Sequence, residues 1–200
     1  MVPNRILESA NVDPTAKVGS GSTIWHLAQV REGAIIGSNC IIGRGAYIGS
    51  EVKIGDNCKI QNLALIYEPA IIGNGVFIGP AAVLTNDQYP RAINVDGSIK
   101  LSADWEPVGV EICEGASIGA GAICIAPVKI GSWALVAAGA VVKNDVPNFA
   151  LVAGVPARKI RWVGRAGKPL INIEGTLYKC PVTGAKYNEV NPNELVEESQ

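Results

Sequence analysis

Polar residues recur at intervals of eighteen in the first half of the chain. One row consists of His26, Arg44, Asn62 and Pro80, and a second consists of Glu32, Ser50, Glu68 and Asn86. Tyr67 stands in the same relation to Thr85. A carboxylate, a phenol and an amide side by side can bind a small polar molecule. We therefore predict a small-molecule site around Tyr67, Glu68 and Asn86, with solvated corners of the fold as the alternative.

A second candidate site lies in the last third of the chain. The small residues Gly119, Ala120 and Gly121 are followed eighteen residues later by Ala137, Ala138 and Gly139. Such a strip leaves room for a thin extended ligand such as the pantetheine arm of coenzyme A, although tight corners also require small residues. An acid-free basic run follows, and its cations suit the phosphates of coenzyme A or form a solvated basic end: Arg158, Lys159, Arg161, Arg165 and Lys168.

The fold that aligns these rows follows from a period of six. Every sixth residue from Val12 to Leu84 is Val, Ile or Leu, and the pattern resumes out of phase at Ile112. An even period directs all these side chains to one side of their strands. We predict a three-sided β-solenoid of eighteen-residue coils, with columns such as Ile36, Ile54 and Ile72 inside. Glycines are expected to ease the corners: Gly37, Gly43, Gly49, Gly55, Gly73 and Gly79.

The repeat is interrupted once and then ends. Residues 85–111 carry Pro, Asp and Asn where a coil has no use for them, and irregular segments on rigid scaffolds are often functional. We predict a solenoid domain over residues 1–164 with this segment as a loop excursion. Residues 165–200 are predicted to form a tail with a possible β-hairpin, and its acidic end NELVEESQ is expected to fray.

Composition excludes several classes of protein. Seventeen basic and eighteen acidic residues give no overall field for nucleic acid or an anionic membrane. The start has no signal-peptide pattern and no apolar run is long enough to span a bilayer, so a cytoplasmic location is expected. The five cysteines form no CxxC pair, and Cys40 and Cys58 are predicted to be reduced core thiols.

The single histidine, His26, limits the reaction chemistry. A zinc site of three histidines is excluded, and we predict no metal. His26 lies far from the small-residue strip, which disfavours it as the base for acetylation of a hydroxyl. An amine acceptor relaxes this demand, because a sugar amine has a pKa near ~8 and is partly neutral without a strong base. We expect a structural or substrate-contact role for His26.

A resemblance to a known family is carried by STIWHLAQVREGAIIG, KIQNLALIYEPAIIGNGVFIGPAAVLTNDQYPRA, GASIGAGA, GVPARKI and KCPVTGAKY. Together these segments resemble the bacterial UDP-2-acetamido-3-amino-2,3-dideoxy-glucuronate N-acetyltransferases, which are hexapeptide-repeat acyltransferases. The resemblance implies an all-β fold, the left-handed parallel β-helix, and a homotrimer with active sites in the clefts between subunits. It also implies acetyl-CoA as donor and a nucleotide-linked 3-amino sugar as acceptor, in the synthesis of surface polysaccharides.

The resemblance also suggests roles for particular residues. Asn86 is expected beside the reacting amine, with no side chain as obligatory base. Arg31 and Arg91 are candidates for the sugar carboxylate or the diphosphate, and His26, Asn62, Tyr67 and Glu68 complete the predicted acceptor site. The predicted cofactor site consists of Ala120, Ala138, Gly139, Pro156, Arg158 and Lys159. The alternatives are an N-acetyltransferase of another nucleotide-linked amino sugar, such as a dTDP-3-amino-deoxyhexose, or a non-catalytic trimeric scaffold.

Overall fold

The computed structural model describes residues 2–198, which form short β-strands wound into a solenoid. Successive strands pass to successive sheets, so the chain turns a corner after each strand. The three parallel sheets, named faces A, B and C, confirm the predicted all-β class. Pairs such as Ile36 with Ile54 and Ile54 with Ile72 lie eighteen residues apart. Each coil therefore adds one rung to every face.

The strands of each face are given in their order along the solenoid. Face A contains β1 (Arg5–Ile6), β4 (Thr23–Ile24), β7 (Ile41–Ile42), β10 (Lys59–Ile60), β13 (Phe77–Ile78), β16 (Ser117–Ile118), β19 (Leu135–Val136), β21 (Ala150–Gly154) and the antiparallel β22 (Ala157–Trp162). Face B contains β2 (Asn11–Val12), β5 (Gln29–Val30), β8 (Tyr47–Ile48), β11 (Leu65–Ile66), β14 (Val83–Leu84), β17 (Ile123–Cys124) and β20 (Val141–Val142). Face C contains β3 (Lys17–Val18), β6 (Ile35–Ile36), β9 (Lys53–Ile54), β12 (Ile71–Ile72), β15 (Val110–Ile112) and β18 (Val128–Ile130).

The interior is filled by the aliphatic residues of the six-residue period. From Ile24 to Leu84 every member of that series is buried, and Ile36, Ile54 and Ile72 are at most 3% exposed. The preceding residue of each strand points outward, because side chains alternate along a strand. Cys40 and Cys58 are buried free thiols, as predicted. Burial also raises the pKa of the Cys124 thiol to about 12.

Three corners run the length of the solenoid. Corner 1 contains His26, Arg44, Asn62, Pro80, Ala120 and Ala138; corner 2 contains Glu32, Ser50, Glu68, Ala126 and Asn144; corner 3 contains Ser38, Asp56, Asn74, Glu114, Ser132 and Asn148. Side-chain oxygens stitch neighbouring coils together at these corners: Asn62 Oδ1 accepts the Arg44 N–H at 2.8 Å, and Asn74 Oδ1 accepts the Asp56 N–H at 2.8 Å.

The glycines serve close packing rather than turning at the positions we expected. A Cβ at Gly37 would lie 2.6 Å from the backbone carbon of Gly55 in the next coil, so a side chain there would push the coils apart. The left-handed backbone conformation occurs two residues later, as at Gly45 with φ 65° and Asn39 with φ 57°. The expectation that Gly37 and its equivalents ease the turns by conformational freedom is therefore wrong.

The excursion comprises residues 85–109, between β14 on face B and β15 on face C. It emerges at corner 2 and contains an isolated bridge between Ile93 and Ile99 and a 3₁₀ turn at Ser102–Asp104. The repeat resumes at Val110, which pairs with Val128 in the next coil. Only this corner of this coil is opened, so the insertion leaves the ladder on faces A and B uninterrupted.

The tail is more ordered than the sequence indicated. It forms a four-stranded antiparallel sheet of β23 (Ile171–Glu174), β24 (Leu177–Lys179), β25 (Lys186–Asn191) and β26 (Glu194–Glu197). The expectation of a frayed acidic end is wrong for residues 193–198, because Leu195 is buried and β26 pairs with β25. Residues 199 and 200 lie outside the described part. The Tyr187 ring packs edge-on against Phe149, with centroids 5.3 Å apart.

Among residues 2–198 no helix is long and apolar enough to cross a bilayer.

The alternation along β12 gives a direct test of the solenoid interior. Ile72 is 2% exposed, whereas its neighbour Ile71 is 52% exposed on the outside of the same strand. Ile72→Ala should lower the free energy of unfolding by about 2–5 kcal/mol, because it leaves a cavity, and Ile71→Ala by less than about 0.5 kcal/mol. Urea unfolding measures both values. Equal losses would contradict the inside-out assignment.

Candidate functional site

The base of the excursion is fixed by hydrogen bonds at corner 2. The Val108 N–H donates to the Asn86 carbonyl at 3.0 Å, which closes the neck of the excursion. The Thr85 hydroxyl oxygen accepts the Ala126 N–H at 3.0 Å and ties the neck to the next coil. Asn86, half-buried, is therefore held in a fixed place on the coil that follows Glu68. The strand register places Asn86 one coil after Glu68 at the same corner, and the small-molecule site predicted there stays a prediction.

Glu68 is held in an unusual environment beneath this neck. Its Oε2 atom is buried and has no hydrogen-bond partner among the residues that the structure describes. The atom lies against Gly49, where a Cβ would come within 2.2 Å of it. Gly109 closes in on the neighbouring Pro69, with its Cβ position 2.7 Å from the Pro69 carbonyl oxygen. A carboxylate oxygen buried without a donor is costly, which makes Oε2 an uncompensated acceptor at this corner.

Tyr47 lies beside the predicted site and was not predicted as part of it. We call Tyr47, Tyr67, Glu68 and Asn86 the corner 2 group. The Tyr47 ring centroid lies 5.2 Å from that of Tyr67, and the Tyr47 hydroxyl oxygen lies 3.5 Å from Nη1 of Arg31. Burial and the nearby Glu68 carboxylate raise the pKa of Tyr47, while Arg31 works in the opposite direction. The available signal was its outward position on face B, one coil before Leu65 and beside corner 2.

The two arginines predicted for anionic groups differ in their surroundings. Arg31 forms a two-point ion pair with Glu32 at 2.8 and 3.0 Å, and this pair lowers the pKa of the Glu32 carboxyl. Both side chains remain about half exposed, and such pairs contribute little to stability. Arg91 is exposed within the excursion and donates to the Pro90 carbonyl at 3.0 Å. Arg31 therefore lies next to the corner 2 group through its approach to Tyr47. The hydrogen bond of Arg91, in contrast, is made within the excursion.

His26 and Asn62 lie at corner 1 and not with the corner 2 group. His26 Nδ1 lies 2.8 Å from the Ser9 hydroxyl, and Asn62 supports the Arg44 backbone. Corners 1 and 2 are the two edges of face B. Residues 63–67, which contain strand β11 of face B, separate Asn62 from Glu68. One copy of the chain thus does not bring all the predicted acceptor residues together.

The small-residue strip runs along the C-terminal part of corner 1. The Gly139 N–H donates to the Ala120 carbonyl at 2.9 Å, and Ala120, Ala138 and Gly139 are all exposed. The turn between β21 and β22 carries Pro156, also exposed, on the same face A edge. Larger side chains flank the strip toward the N-terminal end, since Leu63 and Leu27 are 55% and 56% exposed there. The predicted cofactor residues of the strip therefore share one edge.

In the structure, acidic residues of the C-terminal sheet lie next to the basic run. Lys159 Nζ contacts the Pro192 carbonyl, lies 3.6 Å from the Trp162 ring centroid and is 3.9 Å from Glu189. Burial lowers its pKa. Arg165 pairs with Glu197 at 2.6 Å and lies 4.8 Å from the Trp133 ring centroid. Both cations hold the C-terminal sheet against the solenoid, whereas Arg158 is exposed beside a cavity of about 200 Å³.

No cluster of side chains in residues 2–198 has the composition of a metal site. None of the described His, Cys, Asp and Glu residues come together in groups of three or more that could hold an ion.

The repeats match known family models. The model described as bacterial transferase hexapeptide (six repeats) matches residues 15–50 and 51–86, and the model described as hexapeptide repeat of succinyl-transferase matches residues 109–144. These segments cover more than half of the chain. The chain belongs to the hexapeptide-repeat acyltransferase family, and its fold is the left-handed parallel β-helix of that family.

Individual relatives match smaller parts of their own sequences. Serine acetyltransferase 2 of Arabidopsis thaliana is 40% identical over 160 residues, which are 79% of this chain and 35% of the relative. The dTDP-3-amino-3,6-dideoxy-alpha-D-galactopyranose 3-N-acetyltransferase of Aneurinibacillus thermoaerophilus is 51% identical over 45 residues, 22% of this chain and 23% of the relative. The chain thus spans about a third of the length of the first serine acetyltransferases it matches.

A solved structure shares the fold. The UDP-N-acetylglucosamine acyltransferase of Bacteroides fragilis 9343 superposes with a TM-score of 0.62 at 18% identity, over 80% of this chain and 61% of that one. At this identity the likeness describes the fold alone.

The contacts of Lys159 predict a structural role for this side chain. Lys159→Met keeps the aliphatic stem but removes the ammonium group from Pro192, Glu189 and Trp162, so we expect β25 and β26 to lose about 1–2 kcal/mol of local stability. Amide hydrogen exchange of residues 186–197 measures this loss. Arg161→Met, on the same strand but exposed, is the matched control. Unchanged protection in Lys159→Met would show that the tail does not depend on this cation.

Proposed function

We propose that this chain is an acetyl-CoA-dependent N-acetyltransferase that acetylates the 3-amino group of a UDP-linked 2-acetamido-3-amino-2,3-dideoxy uronic acid, in the synthesis of a surface polysaccharide. The observation that carries the proposal is the group at corner 2, in which the neck of the excursion holds Asn86 on the coil that follows Glu68 and Tyr67. Family membership supports acyl transfer. Both co-substrates belong to cytoplasmic metabolism, where we assign the reaction.

The exposed strip at corner 1 is the proposed site for the pantetheine arm. Ala120, Ala138 and Gly139 leave the edge low, and a ligand lying there can hydrogen-bond to the corner backbone. Arg158, exposed beyond the strip, is the proposed partner of the coenzyme A phosphates. Lys159 is a weaker candidate for that role, because it is already occupied by Pro192, Glu189 and Trp162.

A homotrimer would bring corner 2 of one copy next to corner 1 of another. A threefold axis parallel to the solenoid keeps each coil at its own height, so corner 2 of one copy meets corner 1 of the next at the same level. Glu68 and Asn86 then face Asn62, Pro80 and the start of the strip at Ala120. Face B favours this contact, because its outward row over five coils is apolar: Tyr47, Leu65, Val83, Ile123 and Val141. The corresponding row on face C mixes apolar and charged residues: Ile35, Lys53, Ile71, Glu111 and Lys129.

The chemistry favours an amine over a hydroxyl acceptor. His26 is four coils from Ala120, about 19 Å along the solenoid, and lies beside Ser9. A sugar amine with a pKa near ~8 is partly neutral at pH 7 and attacks a thioester without a strong base. Catalysis then depends on positioning and on stabilising charge in the transition state. Asn86 is the residue proposed to position the amine.

A second acceptor is favoured by one observation. The relative from Aneurinibacillus thermoaerophilus carries a dTDP-3-amino-dideoxyhexose N-acetyltransferase name and is 51% identical over its matched 45 residues. The two candidates differ in the sugar carboxylate, for which Arg31 is the proposed partner, exchanging its pair with Glu32 for the substrate.

An acceptor panel tests the proposed function. The protein is mixed with acetyl-CoA and UDP- or dTDP-linked 3-amino sugars, with and without a carboxylate, and thiol release and product mass are recorded. We expect one acetyl group to be added to the UDP-linked amino uronic acid. Turnover of dTDP-sugars alone would select the second acceptor. No turnover, together with no thermal shift from acetyl-CoA, would leave the scaffold alternative, since saturation at a hundred times Kd adds about 2.7 kcal/mol.

Asn86 provides the residue-level test. Asn86→Ala should lower kcat about 100-fold or more, because an amine that is no longer positioned loses its alignment with the thioester. The melting temperature and oligomeric state should stay close to those of the parent protein, since the Asn86 contact to Val108 uses the backbone. Asn188→Ala, exposed on β25, is the control. Unchanged kcat in Asn86→Ala would remove this residue from the reaction.

A further inference from the structure

We infer that Glu68 is the group that selects an amine acceptor: its carboxylate receives the amine through a charge-assisted hydrogen bond while the nitrogen is acetylated. This inference rests on the proposed N-acetyltransferase function and assigns that site a specificity-determining residue. It starts from the buried Oε2 atom of Glu68, which has no hydrogen-bond donor among residues 2–198.

The position of the carboxylate is imposed by its surroundings. Gly49, one coil earlier, is the only kind of residue that leaves space for Oε2, because a Cβ there would lie 2.2 Å from the atom. The end of the excursion covers the same corner, since Gly109 packs against Pro69. Glu68 thus has a fixed place between Gly49 and the coil of Asn86. These contacts close off Oε2 and fix the carboxylate, so a donor from a ligand has to approach it at its other oxygen, Oε1.

The neighbouring charges favour a cationic donor. Arg31, the basic side chain that approaches Tyr47, is held by Glu32 at 2.8 and 3.0 Å, so its charge is largely neutralised. Burial and the negative charge of the Glu68 carboxylate raise the pKa of the Tyr47 hydroxyl. A sugar amine is mostly protonated at pH 7 if its pKa is near ~8, whereas a hydroxyl carries no charge. The carboxylate therefore attracts the amine more strongly than the hydroxyl.

The reaction balances without a proton on Glu68. The bound ammonium group first loses one proton to water, and the nitrogen lone pair then forms the bond to the thioester carbonyl carbon. The carbon–sulfur bond breaks, and the positively charged nitrogen gives its second proton to the departing thiolate to yield coenzyme A. Glu68 faces positive charge on nitrogen before deprotonation and again as the new bond forms. Relative to the neutral amine that attacks, the interaction strengthens as the nitrogen becomes positive, which lowers the barrier of the bond-forming step.

The test compares amine and hydroxyl ligands. Binding of the amino sugar and of its analogue with a hydroxyl at the same carbon is measured for the parent protein, Glu68→Gln and the exposed control Glu114→Gln. We expect the parent protein and the control to prefer the amine at pH 7 and to lose that preference above pH 9, as the amine becomes neutral. Glu68→Gln should lack the preference at both pH values, and its kcat/KM should fall about 10–100-fold.

A second variant guards against a general loss of structure. Glu68→Asp keeps the carboxylate but withdraws it by one methylene, so it should retain part of the amine preference that Glu68→Gln loses, with a melting temperature close to that of the parent protein. An amine preference in Glu68→Gln equal to that of the parent protein would overturn the inference while leaving the proposed function intact. If the parent protein acetylates no amino sugar, the proposed function fails first, and this inference fails with it.

Discussion

The stacking of one inward aliphatic side chain per six residues is the interaction on which the rest of this structure depends. A coil of three two-residue strands cannot bury its own inner face, so each coil is stable only against its neighbours. The interior is narrow enough to be filled by Ile, Val and small residues such as Ala46 and Cys58, which are at most 1% exposed. The spacing between coils is then set by the backbone ladder, about 4.8 Å. Because that spacing is fixed, so is the height of every corner residue.

This constraint explains where function can be added. A side chain at a corner is free of the core, and an insertion at a corner disturbs only the turn that it replaces. The excursion of residues 85–109 uses that freedom at corner 2, while Leu84 still pairs with Cys124 and Ile72 with Ile112 across the insertion. Corner 1 keeps short turns throughout, and at Ala120 and Ala138 its small side chains leave the backbone of the edge uncovered. The two edges of face B thus have different characters, one enclosed and polar, the other open and smooth.

The interior and the rows of corner residues could be predicted from the sequence, because both follow from the six-residue repeat, which is visible in the sequence itself. Knowing that Glu68 precedes Asn86 by eighteen residues is enough to place them on neighbouring coils. The contacts of Lys159 and Arg165 could not be predicted in this way, because their partners Glu189 and Glu197 lie in a sheet that has no period and docks through tertiary packing. Tyr47 was missed for a related reason: it is an outward strand residue, and only the approach of the Tyr67 ring gives it a place in the site. The sequence predicts a role for glycines such as Gly37 but not its cause. The cause is the close approach of the next coil, a distance that the residue type alone does not give.

Within residues 2–198 the single histidine, His26, lies far from the strip, and this position has a chemical consequence for the choice of acceptor. A hydroxyl must lose its proton as it attacks, so a site for hydroxyl acceptors gains from a base with a pKa close to 7. A carboxyl group with an ordinary pKa of about 4.3 is a poor base for that purpose, but it is well suited to hold an ammonium ion or a nitrogen that becomes positive on attack. Glu68, buried at one oxygen and confined over Gly49, is a carboxylate with a fixed place for this second role. The negative charge of corner 2 therefore complements the proposed amine acceptor. We propose that Glu68 contributes to the site through this charge and not by taking a proton.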